Sequence, residues 1–516
     1  RRQLQRKILQ ERTQLLMTHI YFGPPGTGKT RKLIEKVEEH LNKGVDPETI
    51  GFFTFSKNAA KEARDRMKEK FGLSEDSLPY FRTLHSLGFE VLNYTREMVM
   101  KSDDYKTIGK KCGIEVSYAS WDEDNGGLFT SDSPYLSLIN LSKSKNITVE
   151  QQYNLGQHKE DLDSSVLYKL EREIINYKRD TKKIDFNDMI DQMVAKNICR
   201  NFSVSFIDEA QDLSIVQWQL GNLIEKNSGS LYVAGDDDQC IYPWRGADVK
   251  SFLNLKGTRE VLKTSWRVPQ EVFKVAQRVI HRIPKNNRVQ KEWKPREEKG
   301  SFTEHDDISQ IQNQLKTGKW LVLGRDRWRL NELEEFFKDN NIYYERAKKD
   351  NPIKDKYRAV DLYENKLKKG EALSYEDCHE IKKKMLKNEW TPSLFKAMVP
   401  NRFYTMEMLK SDFGLKTNLP WQAAFTRMGK NDTDKIEELI KRGEDLINGA
   451  RIKLATIHGV KGNERDNVIL PLKLSKASKE AYITNPDDEH RVMYTGITRT
   501  KNNLHIIYGG EGDYEL

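Results

Sequence analysis

A glycine-rich segment near the start of the chain has the residue types and spacing of a phosphate-binding loop. Residues 23–30 read GPPGTGKT and fit the pattern GxxxxGK[ST] in full. In such a loop backbone N–H groups surround the phosphates, the lysine reaches the terminal phosphates, and the last hydroxyl binds Mg²⁺. The segment therefore predicts a nucleoside triphosphate site. The residues predicted to line it are Gly23, Gly26, Thr27, Gly28, Lys29, Thr30 and Arg31.

Two adjacent carboxylates downstream have the chemistry that this site needs for hydrolysis. Residues 204–212 read VSFIDEAQD, so the acids follow a short apolar run that is typical of a buried strand. Asp208 can hold Mg²⁺ through water, while Glu209 can orient and deprotonate the water that attacks a phosphate. An acid pair on the protein surface is the ordinary alternative. The apolar run and the upstream GKT sequence favour the catalytic interpretation.

A third segment combines both kinds of chemistry within a few residues. Residues 231–248 read LYVAGDDDQCIYPWRGAD, an apolar run followed by acids, Gln239 and then Tyr242, Trp244 and Arg245. Acids and an amide suit a metal–phosphate centre, whereas aromatic rings beside an arginine suit stacking on bases, worth about 1–3 kcal/mol per base. The ordinary alternative is a polar loop whose aromatic residues pack into the core. Taken whole, the segment predicts an element that couples a nucleotide site to a nucleic-acid strand.

These segments can meet only if the strands that precede them share one sheet. Open α/β sheets bind their ligands at the carboxyl ends of the strands. The strands predicted for a first core are 18–22, 50–55, 81–85, 204–207 and 231–234, with the sheet resuming at 184–188. Those predicted for a second core are 259–262, 320–323, 451–457, 467–472 and 504–508. Each core is interrupted by a polar, mostly helical stretch, so two similar α/β cores with insertions are expected.

Composition sets limits on the class of protein. The 516 residues include 87 Lys and Arg against 78 Asp and Glu, a net charge of +9 that fits a polyanionic partner without requiring one. The four cysteines are scattered without a CxxC pair, which argues against a zinc site or disulfide framework and for a reducing cytosol. No apolar stretch approaches the roughly 18–20 residues of a membrane span.

In chain order, several motifs resemble those of the UvrD/Rep family of superfamily 1 DNA helicases, and the resemblance spans nearly the full length. The motifs are GPPGTGKT, TFSKNAAKEA, RTLHS, IDEAQD, GDDDQCIYPWRGAD, TSWR, ATIHGVKGNE and YTGITRTK. The family implies an α/β fold with two RecA-like parallel-sheet motor domains, each interrupted by a mainly helical insertion. The first motor domain is then expected at 1–87 and 183–256 around an insertion at 88–182, and the second at 257–345 and 450–516 around an insertion at 346–449.

The resemblance also implies roles for individual residues. Gln239 would sense the γ-phosphate or the attacking water, and Arg267 and Arg499, from the second core, would act as arginine fingers. Trp266 would stack on adenine and Glu464 would meet the ribose. The implied catalytic residues are Lys29, Asp208, Glu209, Gln239, Arg267 and Arg499. The implied DNA-binding residues are Thr54, Phe55, Asn58, Thr83, His85, Tyr242, Trp244, Arg245 and His458.

Together these roles imply an ATP- and Mg²⁺-dependent motor that moves 3′→5′ along single-stranded DNA and unwinds duplex at a junction. We expect it to act as a monomer in the cytoplasm of a bacterial, archaeal or phage-infected cell. One alternative is a translocase that strips proteins from single strands without efficient unwinding. Another is a nucleotide-switched binding protein, which would need neither Glu209 nor Gln239 nor paired arginines.

The chain also departs from the family pattern. The family's glutamine before the phosphate loop has no clean match, since Gln5 and Gln10 stand at the wrong spacing. Pro243 replaces a glycine, which is expected to stiffen the turn. The residues around Glu464 differ from the usual sequence, and the second insertion is shorter than is common.

Overall fold

The chain forms two compact units. The computed structural model describes residues 17–122, 128–156, 162–347, 349, 351–386, 389–460, 463–510 and 513–516. Residues 1–16, which include Gln5 and Gln10, lie outside them. Residues 1–301, 480–501 and 516 make up the first unit, and residues 302–479 and 502–515 make up the second. Over the described part of the chain, no helix is both long and apolar enough to cross a membrane.

The first unit is built on a six-stranded sheet with the order β3-β2-β6-β7-β1-β8. Every neighbouring pair in it is parallel. The strands of this unit are β1 Met17–Phe22, β2 Ile50–Thr54, β3 Phe81–Thr83, β4 Ala119–Asp122, β5 Leu128–Ser131, β6 Val204–Ile207, β7 Ser230–Gly235 and β8 Thr258–Val261. Because β7 lies between β6 and β1, the three polar segments that follow these strands emerge side by side.

Helices cover the sheet and carry the first insertion. They are α1 Lys29–Asn42, α2 Lys57–Phe71, α3 Leu84–Val91, α4 Ser102–Cys112, α5 Pro134–Ser144, α6 Val149–Asn154, α7 Ser164–Thr181, α8 Phe186–Lys196, α9 Ile215–Lys226, α10 Val249–Leu253 and α11 Gln270–Ile280. Helix α1 follows the phosphate loop directly, and its apolar face of Leu33, Ile34 and Val37 packs in the core against the sheet. The insertion has its own core and, besides its helices, contains the antiparallel pair β4–β5.

Three of the sequence-based assignments in this unit are wrong. The strand expected at 259–262 does not belong to the second core, because β8 pairs with β1 in the first sheet. Residues 184–188 do not resume the sheet: Ile184 makes an isolated bridge to Val99, and Asp185 caps α8. The strand expected at 81–85 ends at Thr83, whose hydroxyl accepts from Ser86 N and starts α3, so His85 is helical.

The second unit contains another six-stranded sheet, with the order β11-β14-β10-β15-β16-β9. Strand β10 runs parallel to both β14 and β15. The strands are β9 Ser301–His305, β10 Trp320–Gly324, β11 Glu345–Arg346, β12 Leu373–Ser374, β13 Phe403–Tyr404, β14 Ile452–Thr456, β15 Arg465–Pro471 and β16 Thr500–Ile507. Two α/β units with parallel sheets confirm the predicted fold class.

The second insertion is folded around its own buried aromatic core, which includes Tyr363, Trp390 and Tyr404. It joins the small antiparallel pair β12–β13 to short helices. The helices from α12 onward are α12 Arg327–Asp339, α13 Pro352–Val360, α14 Tyr375–Lys384, α15 Pro392–Phe395, α16 Met406–Ser411, α17 Trp421–Ala424, α18 Lys430–Lys441, α19 Lys476–Thr484 and α20 Pro486–Ile497. Helix α20 belongs to the first unit, where it packs against α11.

Candidate nucleotide site and coupling segment

The phosphate loop is held in shape by its own backbone and by the end of β7. Gly23 N donates to Gly235 O at 2.9 Å, and Lys29 Nζ donates to Gly23 O at 3.2 Å. Gly26 and Gly28 have φ of +72° and +84°, which glycine adopts without the steric cost that a side chain would bring. A Cβ at Gly23 would overlap the Lys29 side chain. Glycine at positions 23, 26 and 28 therefore lets the loop fold back so that the Lys29 amine reaches the Gly23 carbonyl at the start of the loop.

The acid pair lies directly beside this loop. Thr30 Oγ1 donates to Asp208 Oδ2 at 2.5 Å, and Lys29 Nζ lies 3.8 Å from Glu209 Oε1. Burial, and then the adjacent Glu209 carboxylate, raise the pKa of Asp208 to about 6. A buried carboxylate paired with a hydroxyl at the start of a helix is a set of oxygens that suits Mg²⁺. Thr30 and Asp208 would hold that ion together with the phosphates of a nucleotide.

Glu209 has a strained backbone, as residues at active sites often do. Its φ is +53°, in the left-handed region that a residue with a side chain rarely adopts. The residues that follow, Ala210–Asp212, form a short 3₁₀ turn. This conformation brings the carboxylate round to lie between Lys29 and the amide of Gln211, which donates to Glu209 Oε2 at 2.6 Å.

The TSWR segment, residues 264–267, packs against the phosphate loop. Ser265 Oγ donates to Pro25 O at 2.7 Å, and Trp266 N donates to Gly26 O at 2.8 Å. A Cβ added at Gly26 would lie 2.4 Å from Arg267 Cβ, so the two backbones touch. The Trp266 side chain is 71% exposed beside the loop. An exposed indole held at the edge of a nucleotide site is suited to stacking on a base.

Gln239 and Arg499 form a buried pair at the end of β7. Arg499 donates through a terminal guanidinium nitrogen to Gln239 Oε1 at 2.6 Å, and its Nε donates to Thr495 O at 3.1 Å. The amide nitrogen of Gln239 in turn donates to Asp236 Oδ2 at 2.7 Å. The resemblance placed Arg267 and Arg499 on the second core, but both belong to the first compact unit, together with the phosphate loop and the acid pair.

Three consecutive buried aspartates before Gln239 are paired with two cations from the segment after α11. Lys291 Nζ lies 2.8, 2.5 and 2.9 Å from carboxylate oxygens of Asp236, Asp237 and Asp238. Arg288 donates twice to Asp238, at 2.8 and 2.6 Å. This acidic cluster, Asp236–Asp238, is fully buried. The cations therefore fix the backbone from which Gln239 projects.

Burial and the neighbouring charges shift the pKa values of the groups in this cluster. Burial is the largest effect on Asp237 and raises its pKa to about 6. For Asp238 burial alone would raise the pKa, but Lys291 and Arg288 outweigh it and hold the pKa below its usual value. Burial alone would lower the pKa of Lys291, yet the three carboxylates raise it above the ordinary lysine value. Lys291 is thus a charged partner of the cluster at neutral pH.

The aromatic residues of segment 231–248, called the coupling segment after its predicted role, face a cavity. The rings of Phe55 and Tyr242 stack with centroids 5.9 Å apart and planes 13° apart. The Arg245 guanidinium lies 4.5 Å from the Tyr242 ring centroid and 4.2 Å from that of Trp244. Trp244 is 56% exposed, so it is not sealed in the core. These four side chains line a cavity of about 150 Å³ together with His85.

The remaining predicted DNA-binding residues of the first unit differ in character. Thr54 Oγ1 donates to Ser56 O at 2.6 Å, and Thr83 caps α3, so both hydroxyls already have structural partners. Asn58 is exposed on the first turn of α2. His85 is buried, and burial lowers its pKa to about 4; its Nδ1 has no hydrogen-bond partner among the described residues. A neutral histidine here presents a polar edge beside the cavity.

Two predicted residues lie in the second unit. His458 starts the short turn His458–Val460 after β14, and Glu464 immediately precedes β15. Sequence reasoning missed Gln211 and Lys291. Gln211 lies inside the quoted IDEAQD motif, where an amide two residues after Glu209 was a usable signal. Lys291 is one of several basic residues in a polar stretch, and its charge gives no sign that it is the lysine that is buried.

Comparison with known proteins agrees with this geometry. Residues 4–260 match the family model of the UvrD/REP helicase N-terminal domain, and residues 425–511 match that of the UvrD-like helicase C-terminal domain. The chain is 26% identical over 280 residues to "ATP-dependent DNA helicase Rep" of Buchnera aphidicola subsp. Baizongia pistaciae, covering 49% of this chain and 39% of that protein.

Two further relatives give the same result. Identity is 25% over 283 residues to "ATP-dependent DNA helicase PcrA" of Bacillus subtilis, covering 51% of this chain and 38% of that protein. It is 27% over 331 residues to a "Probable DNA helicase II homolog" of Mycoplasma capricolum, covering 58% and 41%. The matched regions thus span about two fifths of each relative. On the strength of both family models, the chain belongs to the UvrD/Rep family of helicases.

Proposed function

We propose that this chain is an ATP-dependent DNA helicase motor that moves 3′→5′ along single-stranded DNA. The observation that carries the proposal is the coupling segment after β7. Gln239 is bonded to Arg499 at the nucleotide site, and three residues later Tyr242 stacks on Phe55 at the cavity. The names of the curated relatives and the motif order support the same activity. We expect the partner to be single-stranded DNA and its junction with duplex, bound by a monomer in the cytoplasm.

In the proposed reaction the residues of the site divide the tasks of ATP binding and hydrolysis. Lys29, Arg267 and Arg499 place positive charge around the terminal phosphate, where negative charge spreads in the transition state. Glu209 accepts the proton of the attacking water. Thr30 and Asp208 would hold Mg²⁺, which when bound neutralises phosphate charge. Trp266 stacks on the base, and Glu464 is proposed to meet the ribose.

Stepping would follow from the short connection between Gln239 and the aromatic residues. A side chain that follows the γ-phosphate changes position when that phosphate leaves, and the 3₁₀ turn Pro243–Arg245 begins only four residues later. Stacking on the exposed Trp244 ring would hold a base without regard to sequence. Binding through the DNA backbone should weaken with salt. His85, Thr83, Thr54, Asn58 and, in the second unit, His458 are proposed to complete the DNA path.

Duplexes with a single-stranded tail on one end test polarity and unwinding together. With ATP and Mg²⁺, we expect the chain to separate a duplex with a 3′ tail and to leave a duplex with a 5′ tail or blunt ends intact, measured by release of a labelled strand. Unwinding from the 5′ tail would contradict the proposed direction. DNA-stimulated ATPase with displacement of a bound protein but no strand release would favour the alternative, a translocase without efficient unwinding.

Replacing Trp244 by alanine should separate stepping from nucleotide binding. We expect Trp244→Ala to bind a fluorescent ATP analogue as the wild type does, and to lose at least about tenfold in translocation rate, because stacking worth roughly 1–3 kcal/mol is removed. Arrival of the motor at a fluorophore on the end of single-stranded DNA measures that rate. Trp328→Ala is the matched control, since Trp328 is a half-exposed tryptophan on α12 in the second unit. An unchanged stepping rate in Trp244→Ala would contradict the coupling role.

A further inference from the structure

Gln211 is fully buried beside the proposed general base, and the function proposed above gives it no task. Its Nε2 donates to Glu209 Oε2 at 2.6 Å and to Asp212 Oδ2 at 3.2 Å, while its Oε1 accepts from Asp236 N at 2.9 Å. A backbone N–H can only donate, so the amide oxygen must face Asp236 and the amide nitrogen must face the carboxylates. The fold therefore fixes which way this amide points.

The same hydrogen-bonded path continues to the arginine. Asp236 Oδ2 accepts from Gln239 Nε2 at 2.7 Å, and Gln239 Oε1 accepts from Arg499 at 2.6 Å. Because a guanidinium only donates, the second amide is oriented as firmly as the first. Hydrogen bonds joined through Asp236, from its backbone N to its carboxylate, thus connect the partly exposed Glu209 carboxylate to Arg499, and the groups from Gln211 onward are buried. In a water-poor interior such bonds are costly to break.

The backbone at the end of β7 leaves room for this arrangement. A Cβ built on Gly235 would lie 2.8 Å from Gln211 Oε1 and 2.8 Å from the Phe252 ring. The Gln211 oxygen is the end of a flexible side chain, whereas the Phe252 ring is packed in the core. An added methyl group is therefore expected to displace the amide. Glycine at position 235 therefore leaves the space that the Gln211 amide needs to bond to Asp236 N.

We propose that Gln211 is a positioning residue that ties the orientation of Glu209 to that of the Gln239–Arg499 pair. The general base, Glu209, and the proposed phosphate sensor, Gln239, are then held in matching orientations. The inference rests on the proposed function, since it gives Gln211 a task in ATP hydrolysis. Its bond to Glu209 Oε2 leaves Oε1, on the side of Lys29, to accept the proton of water. In this proposal Gln211 acts through Glu209 and not directly on the nucleotide or the water.

The direct test replaces Gln211 by methionine, which is of similar length and makes neither hydrogen bond. We expect kcat for DNA-stimulated ATPase to fall by about tenfold or more, while KM for ATP and the affinity for a non-hydrolysable ATP analogue change less than about twofold. Gln152→Met, which removes a buried amide on α6 in the insertion, is the matched control and should keep the wild-type kcat. A Gln211→Met protein with normal kcat would overturn the proposal.

A double-mutant cycle tests the link to the sensor. If Glu209 and Gln239 act as one unit, the double variant Gln211→Met, Gln239→Met should lower kcat no further than the worse single variant. A double variant whose loss in kcat is the product of the two single losses would overturn the link. Should Gln211→Met fail to fold, Gly235→Ala takes its place in both tests, with the same expected fall in kcat and the same contrary result. A wild-type chain without any DNA-stimulated ATPase would instead refute the proposed function, which keeps the two failures distinct.

Discussion

Replacing Glu209 by glutamine should lower the DNA-stimulated ATPase rate about a thousandfold, the middle of the range for loss of a general base. Glutamine has nearly the same shape but cannot take a proton from water. It keeps an oxygen or nitrogen near Lys29 and Gln211, so nucleotide should still bind with an affinity within a few-fold of the wild type. Phosphate release at saturating ATP and single-stranded DNA measures the rate, and titration with a fluorescent ATP analogue measures binding.

The control for this substitution is the same change at an exposed acid. Glu438→Gln on α18 removes a surface carboxylate paired with Arg442 and should leave the ATPase rate unchanged. Lys29→Ala provides the contrasting result, because losing the amine that reaches the phosphates should weaken analogue binding as well as turnover. Persistent turnover in Glu209→Gln would remove the acid pair from the proposed site.

The parts of the site that the sequence predicted are those in which neighbouring residues define both the element and the chemistry. The run VSFI before Asp208 is apolar enough to predict β6 to the residue, and the acids follow it directly. The phosphate loop and α1 are equally local, since the glycines and the helix start stand in one stretch. Pattern and structure agree here because no distant residue decides the outcome.

What the sequence missed depends on residues far apart in the chain. Strand β8 is polar and largely exposed at a sheet edge, and only its pairing with β1 assigns it to the first sheet. The stretch 81–85 is a local exception: it looks like one strand, but the Thr83 cap starts a helix within it. Lys291 is a charged residue in a polar, largely basic stretch, and its burial follows from its tertiary contacts with Asp236–Asp238.

The roles assigned to individual residues rest on the family resemblance and stay predictions. Gln239 and Arg499 are brought together in the first unit, as a shared task at the phosphate requires. Pro243 starts the short turn that carries Trp244, in line with a stiffened corner. The family resemblance named these residues, whereas Gln211 and Lys291 come into view only through their contacts.

Replacing Lys291 by methionine should cost the first unit about 3–5 kcal/mol of its free energy of unfolding at neutral pH, the range for breaking a buried ion pair from one side. The change leaves the acidic cluster Asp236–Asp238 facing Arg288 as its remaining ion-paired side chain among the described contacts. Urea denaturation gives the overall loss, and faster amide hydrogen exchange in residues 235–242 locates it. Lys274→Met is the matched control, because its pair with Glu271 is exposed and worth at most about 1 kcal/mol.

The size of this loss should depend on pH in a defined direction. Asp237 has a folded pKa of about 6, above its ordinary value of 3.8, so burying its charge costs nothing below the ordinary value and costs fully above the folded one. Without Lys291 the carboxylates lose the cation that lowers their pKa, and protonation relieves more of the cost. The deficit of Lys291→Met relative to the wild type should therefore be smaller at pH 5 than at pH 8. An equal deficit at both values, or one no larger than that of Lys274→Met, would mean that the lysine does not hold the cluster that carries Gln239.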